Sequence, residues 1–425
     1  MSTFDRDRDH PLTLRWTTDP DVFSPLGLPP LRSKVATLAR TRILTEAIVR
    51  RRADPDSRIS YSRRIQHYTN QVTRYRPQTY SYRAIVPAIN SLAASGVVGH
   101  MKASPGDRGW QSQIWATDDL TGLLIPVAHQ LLELIVLRDG DDKVAVDYED
   151  TPETRRMRRG LCGIHEIIDS SILGLGSKPI RDGDPLKQAI RGLPVPIRDG
   201  KKLNLDVIKL GAATHELCRI FRRTFAFNGR LYEAWWQNIP REYRAHVTID
   251  GETTHEEDYP HLHPTLLYAA AGQTMDGDPY VIDGWSRKVV KVAFNILVNA
   301  TDPTAAVQAI VWEARKRERR ARREGAAPPA IVREILGPEP YPQARDLVTD
   351  IQRKHSAIAH RFASGAGLAL MRRDSDMAEA VLLRLGARGI VALPVHDSFL
   401  VAEKHKSALQ EVMDDELRKS TGDLW

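Results

Sequence analysis

The chain has 425 residues, of which 42% are hydrophobic, enough for two or three domains with cores of their own. Lysine and arginine number 61 against 54 acidic residues, and the net charge of +7 favours a polyanionic partner, nucleic acid before a membrane surface. The only cysteines, Cys162 and Cys218, exclude a disulfide framework and cysteine-rich zinc modules. No apolar stretch is long enough to span a bilayer and the charged N-terminus is unlike a signal peptide, so we expect a cytoplasmic protein with no membrane partner.

The first part of the chain is predicted to be an arm followed by helices. Residues 1–33 combine repeated Asp and Arg with the proline-rich run FSPLGLPPL, which is typical of a flexible, extended arm. Apolar residues at helical spacing predict an amphipathic helix from Ser33 to Arg52. Two further helices are predicted over Ser60–Tyr75 and Tyr82–Ser95, before the strand-like GVVGHMKA, the turn SPGDRG and WQSQIWATDDL.

This order of helix, strand, glycine-rich loop and strand resembles the end of a winged-helix domain, which we place at 34–127. The resemblance implies that a helix enters the DNA major groove while the wing contacts phosphates. It makes Arg76, Arg83, Lys102 and Arg108 candidate contacts to the DNA backbone. The alternative is a winged helix that serves only protein contacts.

Residues 128–225 are predicted to be a mainly helical region, thumb-like or linking, in which we recognise no chemistry. A buried helix is predicted in LLIPVAHQLLELIVL, Leu123–Leu137, and another over Asp206–Phe225. The basic residues of this region would line a duplex channel or, as is more common, form a solvated face.

Two hairpins in the C-terminal region, residues 226–425, place acidic residues at rigid positions. The stretch GIVALPVHDSFLVAE predicts two short strands with His396 and Asp397 at the bend between them. Upstream, an Asp-Gly turn predicts a second hairpin, and Asp258 follows where a strand ends and a helix opens at Pro264. Carboxylates held rigidly at such positions are suited to metal binding.

The segment GWSRKVVKVAFNILVNA predicts a helix that is capped by Ser286 and polar along one side. Arg287, Lys291, Asn295 and Asn299 recur at every fourth residue, and apolar residues occupy the other side. Two cations one turn apart repel each other by a few tenths of a kcal/mol. A polyphosphate lying along the stripe would remove that cost.

These segments occur in the order found in the palm and fingers of one polymerase group. They resemble family A DNA polymerases, the bacterial polymerase I group, and the related single-subunit, phage-type RNA polymerases share this palm. The resemblance covers about half of the chain, from about residue 220 to 425. The matching segments are GRL, QNIP, Arg244, Asp258, the pair Arg287 and Lys291, and the pair His396 and Asp397.

The resemblance implies a role for each matched residue. Asp258 and Asp397 would be catalytic and would hold two Mg²⁺ ions, for which Mn²⁺ would substitute, and Lys291 would protonate the leaving group. The implied nucleotide-binding residues are Arg287, Lys291, Asn295, Asn299, His263 and Tyr259. The implied primer- and template-binding residues are Arg230, Gln237, Asn238, His396 and Arg372. The implied partners are a DNA primer-template and nucleoside triphosphates, with RNA as a further possibility.

Three positions depart from the pattern of the DNA polymerases in this family. Ser398 follows the second aspartate where they usually have Glu, His263 stands where a Glu blocks the 2′-hydroxyl of the sugar, and Asn299 replaces a Tyr. The sugar preference is therefore left open, and ribonucleotide use is a live alternative. Few residues separate the first two motifs, which predicts reduced fingers, and we find no acidic exonuclease motif that would indicate proofreading.

The sequence thus predicts an α+β, mostly helical protein, with a right-hand polymerase palm and reduced fingers after a winged-helix-like domain. The function expected is that of a DNA polymerase without proofreading, and replication of a mobile element is one candidate role. The alternatives are an RNA polymerase or primase-polymerase, and a DNA-binding replication initiator without activity. The basic run ARKRERRARREGAAPP, residues 314–329, is either a solvated helix end and linker or a surface along nucleic acid phosphates.

Overall fold

The computed structural model describes residues 9–69, 72–104, 111–140, 144–195, 197–198, 201–202 and 211–422. Within these ranges the protein is α+β, with helices interleaved among several sheets. None of the helices in the described ranges combines the length and the hydrophobicity needed to cross a bilayer.

The helices alternate with short strands in the first half and dominate the second half. The α-helices are α1 Lys34–Ala53, α2 Ile65–Thr69, α3 Tyr82–Ala94, α4 Asp118–Gly122, α5 Pro152–Asp169, α6 Leu186–Arg191, α7 Trp235–Asn238, α8 Arg241–Arg244, α9 Leu262–Ala270, α10 Arg287–Asn299, α11 Pro303–Glu324, α12 Ala330–Ile335, α13 Pro340–Lys354, α14 Gly367–Gly386 and α15 Lys406–Thr421. The strands are β1 Asp9–Pro11, β2 Trp16–Thr17, β3 Arg58–Tyr61, β4 Val98–Met101, β5 Ser112–Ala116, β6 Ala128–His129, β7 Ile135–Arg138, β8 Leu173–Leu175, β9 Lys178–Pro179, β10 Ile197–Arg198, β11 Lys201–Lys202, β12 Cys218–Arg222, β13 Thr224–Tyr232, β14 Val247–Ile249, β15 Glu252–Asp258, β16 Ala392–Val395 and β17 Ser398–Ala402.

The N-terminal core lies between a four-stranded sheet and two helices. The sheet has the order β1-β3-β5-β4, and apolar residues of α1 and α3 pack into one buried cluster with it. The clearest burial is at Ile43, Ile48, Ile85 and Ile114, which are all inaccessible to solvent. Residues from Leu12 to Leu120 form this core, and a separate cluster serves the rest of the chain.

The six-stranded sheet of the second core determines where the acidic residues lie. Its order is β16-β17-β15-β14-β8-β9, and each neighbouring pair is antiparallel. Strands β14 and β15 form the predicted hairpin, with Asp250 and Gly251 both at positive φ in its turn. Strands β16 and β17 form the other predicted hairpin, with His396 at φ 61° in its bend.

A three-stranded sheet, β13-β12-β7, packs on α14 and is fastened to it by a buried cation. Arg219 on β12 has no exposed surface, and its guanidinium donates to Glu379 at 2.6 Å, Asp376 at 2.8 Å and the backbone oxygen of Gly229 at 2.8 Å. Burying a charge is costly unless it is paired and hydrogen-bonded, and here each of the three guanidinium nitrogens donates a hydrogen bond. The network fixes β13, which carries Arg230, against α14.

Two expectations for the N-terminal part differ from the structure. Residues 9–33 are not a flexible arm, because Leu14 is buried and the carboxylate of Glu46 accepts hydrogen bonds from the backbone N–H groups of Thr13 and Leu14. The helix predicted over Ser60–Tyr75 is reduced to α2, with β3 in front of it. Residues 1–8 and the turn containing Arg108 lie outside the described residues.

The prediction of a mainly helical region over 128–225 is wrong for most of its length. The helix predicted in Leu123–Leu137 is absent, and the segment instead contains β6 and β7, in which Ile135 and Leu137 are buried with the two-residue alternation of a strand. The helix predicted over Asp206–Phe225 is replaced, from Cys218 onward, by β12 and the start of β13. A short continuous apolar run does not distinguish a central strand from a buried helix, and β12 is such a strand.

Replacing Arg219 with Met is expected to destabilise the protein by about 3 kcal/mol, because Glu379 would be left buried with only the exposed Arg156, 3.8 Å away, as a cationic neighbour. The free energy of unfolding would be measured by urea titration. The double variant R219M/E379Q should recover part of the loss, since it removes the uncompensated charge. Equal stability of R219M and the unchanged protein would contradict a fastening role for this network.

Candidate active site

Asp258 and Asp397 come from different segments and line one cleft of about 500 Å³. Asp258 is the last residue of β15 and pairs in register with Ser398, the residue after Asp397. The backbone N–H of Tyr259 donates to the carbonyl oxygen of Asp397 at 3.4 Å, so the two acidic residues are adjacent through the sheet. The two acids that the sequence predicts to meet are therefore neighbours along the backbone pairing and line the same cleft.

A half-buried ion pair braces the strands that carry the two aspartates. Arg244 donates from Nε and Nη2 to the two carboxylate oxygens of Glu256, at 3.1 and 3.0 Å. The hydroxyl of Ser398 donates to the same carboxylate at 2.9 Å, across from β17 to β15. Partial burial would raise the pKa of Glu256, but the hydrogen bonds and charge of Arg244 and the Ser398 hydroxyl outweigh it and hold that pKa below its usual value. A Glu at position 398 would place a second carboxylate beside Glu256, which gives a physical reason for the serine.

Asp374 on α14 holds two residues, Arg230 and His263, that form a second wall of the cleft. Its side chain is 1% exposed and accepts hydrogen bonds from Arg230 Nε at 3.1 Å and from His263 Nε2 at 2.9 Å. Burial by itself would lower the pKa of Arg230, but the hydrogen bond and charge of Asp374, followed by the charge of Asp397, raise it. Arg230 is therefore a fixed positive charge at the cleft.

The exposed stripe of α10 forms the wall of the cleft that carries most of its positive charge. Arg287, Lys291, Asn295 and Asn299 are all exposed and all line the cleft, as the spacing predicted. Ser286 occupies the N-cap position, but its side chain makes no capping hydrogen bond.

Tyr280 lies beneath the two cations of the stripe. The charged groups of Arg287 and Lys291 are 5.4 and 5.8 Å from the centre of its ring, and Arg287 Nε also donates to Asp278 at 2.6 Å. Burial raises the pKa of the Tyr280 hydroxyl to about 12, so the ring stays neutral beneath the cations.

Several predicted residues lie elsewhere or are already engaged. The Gln237 amide donates to the carbonyl oxygens of Leu231 and Pro394, and Asn238 lines a different cavity, of about 350 Å³. Arg372 is 14% exposed and is held by Asp376 and Glu153, at 2.9 and 2.8 Å. These three residues brace the fold and do not line the cleft of the two aspartates.

Tyr259 and His396 adjoin the cleft in ways that the sequence did not indicate. Tyr259 lines it, but its hydroxyl is engaged, because it donates to the backbone oxygen of Met413 at 2.9 Å. The His396 ring lies 5.9 Å from that of Tyr232. Although His396 reaches the surface, desolvation of its ring and then the charge of Arg230 lower its pKa, so it is neutral at pH 7.

The sequence did not identify the residues that contact and position the side chains lining the cleft. Asp374, Glu256, Asp278 and Tyr280 position the cleft residues through the contacts given above. Asp374 carried a usable signal, because a carboxylate among apolar residues of a buried helix requires a partner. Glu256, Asp278 and Tyr280 meet their partners across turns between separate elements, and helix or strand periodicity does not predict such contacts.

The two aspartates are suited to an oxygen-preferring cation. Among the described residues, neither side chain accepts a hydrogen bond or forms an ion pair, although both stand within the field of nearby cations. No group of three or more His, Cys, Asp and Glu side chains in those residues is arranged to hold a metal ion. A cation here would therefore complete its shell with substrate oxygens and water, as Mg²⁺ commonly does.

Comparisons of the chain with models of known families, with curated proteins and with solved structures found no match.

The contribution of the Arg244–Glu256 pair to stability should decrease as pH falls. The pKa of Glu256 is lowered in the folded protein, so the stabilisation is present above the usual glutamate pKa and is lost as pH falls through the lowered value. We expect Arg244→Gln to cost about 1 kcal/mol at pH 7 and progressively less between about pH 5 and about pH 3.

The measurement is urea unfolding of both proteins across that pH range. Glu252→Gln removes a matched carboxylate from the same strand, where its partner is the exposed Lys404, and should show little pH-dependent difference. A loss in R244Q that stays constant down to pH 3 would contradict the assignment to ionised Glu256.

Proposed function

We propose that the chain is a template-directed nucleotidyltransferase that adds nucleotides to a 3′-hydroxyl, as a DNA polymerase of family A type. The observation that carries the proposal is the meeting in one cleft of Asp258, Asp397 and the cationic stripe of α10. Nucleotide addition needs two carboxylates for divalent ions and positive charge for the triphosphate, and these stand on separate walls of the cleft. The resemblance to the polymerase palm supports the same reading.

The acidic wall fits a pair of Mg²⁺ ions, or Mn²⁺ in their place. Asp258 and Asp397 present carboxylate oxygens without protein partners among the described residues, which is the ligand type that Mg²⁺ prefers. Bound there, the ions would activate the attacking hydroxyl and neutralise charge on the leaving pyrophosphate. The brace through Glu256 and Ser398 holds together the backbone segments that carry the two aspartates, so that little backbone reorganisation is needed when substrate binds.

The basic wall is suited to a triphosphate. Arg287 and Lys291 stand one helical turn apart and face the cleft, where phosphate oxygens would neutralise their mutual repulsion. Lys291 has no hydrogen bond or ion pair among the described residues, and its ammonium is available to donate a proton to the leaving group. Arg287 shares its charge with Asp278, which orients the guanidinium.

A ribonucleotide substrate is the second candidate, and His263 favours it. In this cleft His263 is bound to the buried Asp374, so its ring is drawn towards α14 and no glutamate projects there to exclude a 2′-hydroxyl. Asn299, in the place of the usual tyrosine, also favours a ribonucleotide. The activity assay therefore includes both types of nucleotide.

The N-terminal unit is proposed to bind duplex DNA as a winged helix. The order α1, β3, α2, α3, β4, β5 agrees with that fold, and Arg83 on α3 and Lys102 after β4 are both exposed. Arg76, by contrast, is engaged by the backbone oxygen of Tyr68. Contacts by Arg83 and Lys102 would position DNA through its phosphates.

Replacing Asp258 or Asp397 with Asn should lower nucleotide incorporation at least about 100-fold, because each loses a charged metal ligand. Primer extension with Mg²⁺ and either deoxyribonucleotides or ribonucleotides would measure the effect. Glu257→Gln, beside Asp258 but bound to His255 and Gln410, is the control and should remain active. Duplex binding without incorporation by the unchanged protein would indicate an inactive initiator.

Replacing Lys291 with Met should lower the rate of incorporation and raise the KM for the nucleotide, since it removes a cation from the triphosphate wall. Lys288→Met removes the same charge from the same helix at an exposed position outside the cleft. Steady-state extension kinetics of the two variants provide the comparison. Equal effects at both positions would mean that only the overall charge of α10 matters.

A further inference from the structure

The outward side of α11 carries a row of cations that the proposed catalytic cleft does not use. Trp312, Lys316, Arg319 and Arg323 follow one another at three- and four-residue spacing, so they share one face of the helix. All four are exposed, whereas Ala314 and the apolar residues on the other side are buried. The row is about 16 Å long, from the rise of an α-helix.

The row differs from the flanking positions of the same helix in how its charges are matched. Three flanking arginines are paired with glutamates on the helix: Arg317 with Glu313, Arg320 with Glu324 and Arg322 with Glu318. A fourth, Arg315, lies beside the ring of Tyr341. Arg319 and Arg323 form no ion pair with any described residue, and Lys316 lies 3.7 Å from Glu313, which Arg317 already holds at 2.7 Å. A helix that needed charge only for solubility would not require unmatched cations to fall in one row.

Exposed aromatic rings accompany these cations. Trp312 is 58% exposed, and Tyr341, on the neighbouring helix α13, is 44% exposed. Lys316 lies 5.3 Å from the Trp312 ring, and Arg315 lies 5.9 Å from the Tyr341 ring. Large exposed rings are costly in water, and rings beside unmatched cations are the arrangement by which proteins stack bases and hold phosphates of an unpaired strand.

We propose that the outer face of α11 and α13, defined by Trp312, Lys316, Arg319, Arg323 and Tyr341, binds single-stranded nucleic acid. Cations alone would suit a duplex equally well, but the faces of paired bases are not available for stacking, so the exposed rings favour an unpaired strand. This surface would hold an unpaired part of the nucleic acid substrate outside the cleft. Its role as a substrate-binding surface rests on the proposed function.

The test is fluorescence anisotropy with a labelled oligothymidylate of about 16 nucleotides, without Mg²⁺ or nucleotides, over a range of salt concentrations. The triple variant K316Q/R319Q/R323Q should bind more weakly, and its plot of log affinity against log salt should be shallower by about 2. Trp312→Ala should weaken binding roughly tenfold with an unchanged salt slope, because it removes stacking and no charge.

The matched control is R317Q/R320Q/R322Q, which removes the same charge from the same helix at positions paired with glutamate. It should retain most of the affinity. Equal losses of affinity in the two triple variants would overturn the proposal. So would tighter binding of a duplex of the same length, if Trp312→Ala leaves the affinity for that duplex unchanged.

Two results would distinguish failure of the proposed function from failure of the proposed binding surface. If the unchanged protein binds the oligonucleotide through this face but incorporates no nucleotide, the surface stands and the polymerase assignment falls. If Asp397→Asn abolishes extension and the triple variant leaves oligonucleotide affinity unchanged, the polymerase assignment stands and the surface falls.

Discussion

The antiparallel pairing of β15 with β17 is the constraint on which the candidate site depends. It brings Asp258 beside the bend that carries Asp397, and no local feature of either segment could do so. The pairing is reinforced where it matters, because Glu256 receives both Arg244 and the Ser398 hydroxyl next to the two aspartates. A one-residue slip in register would turn every side chain of β15 to the opposite face and separate the acids.

The rest of the cleft is assembled on α10 and α14, which approach the sheet from other directions. Asp374 ties His263 and Arg230 to α14, and the buried Arg219 ties the neighbouring strand to the same helix. On the opposite wall, Tyr280 supports the cations of α10. The cleft thus combines unmatched acids on one wall with cations on the other.

The distribution of arginines shows why net charge is a weak guide to function. Many of the 61 cationic residues serve the fold: Arg219, Arg244 and Arg372 each hold carboxylates within the protein. Cations without an ion pair among the described residues include Lys291, which lines the cleft from α10, and Arg319 and Arg323 on the outer face of α11. These two places, and not the total of +7, indicate where a polyanion would bind.

The sequence by itself determined the local features, because each depends on short-range periodicity and turn chemistry. These are both hairpins, the strand end at Asp258, the polar stripe of α10 and the α+β class. It did not determine the strands β7 and β12, since a short apolar run is compatible with a central strand or a buried helix until its neighbours are known. Only the tertiary structure decided that Gln237, Asn238 and Arg372 brace the fold and that Asp374 organises the cleft. For Gln237, Arg372 and Asp374, hydrogen-bond partners more than a hundred residues away determine the role, and no local pattern encodes such partners.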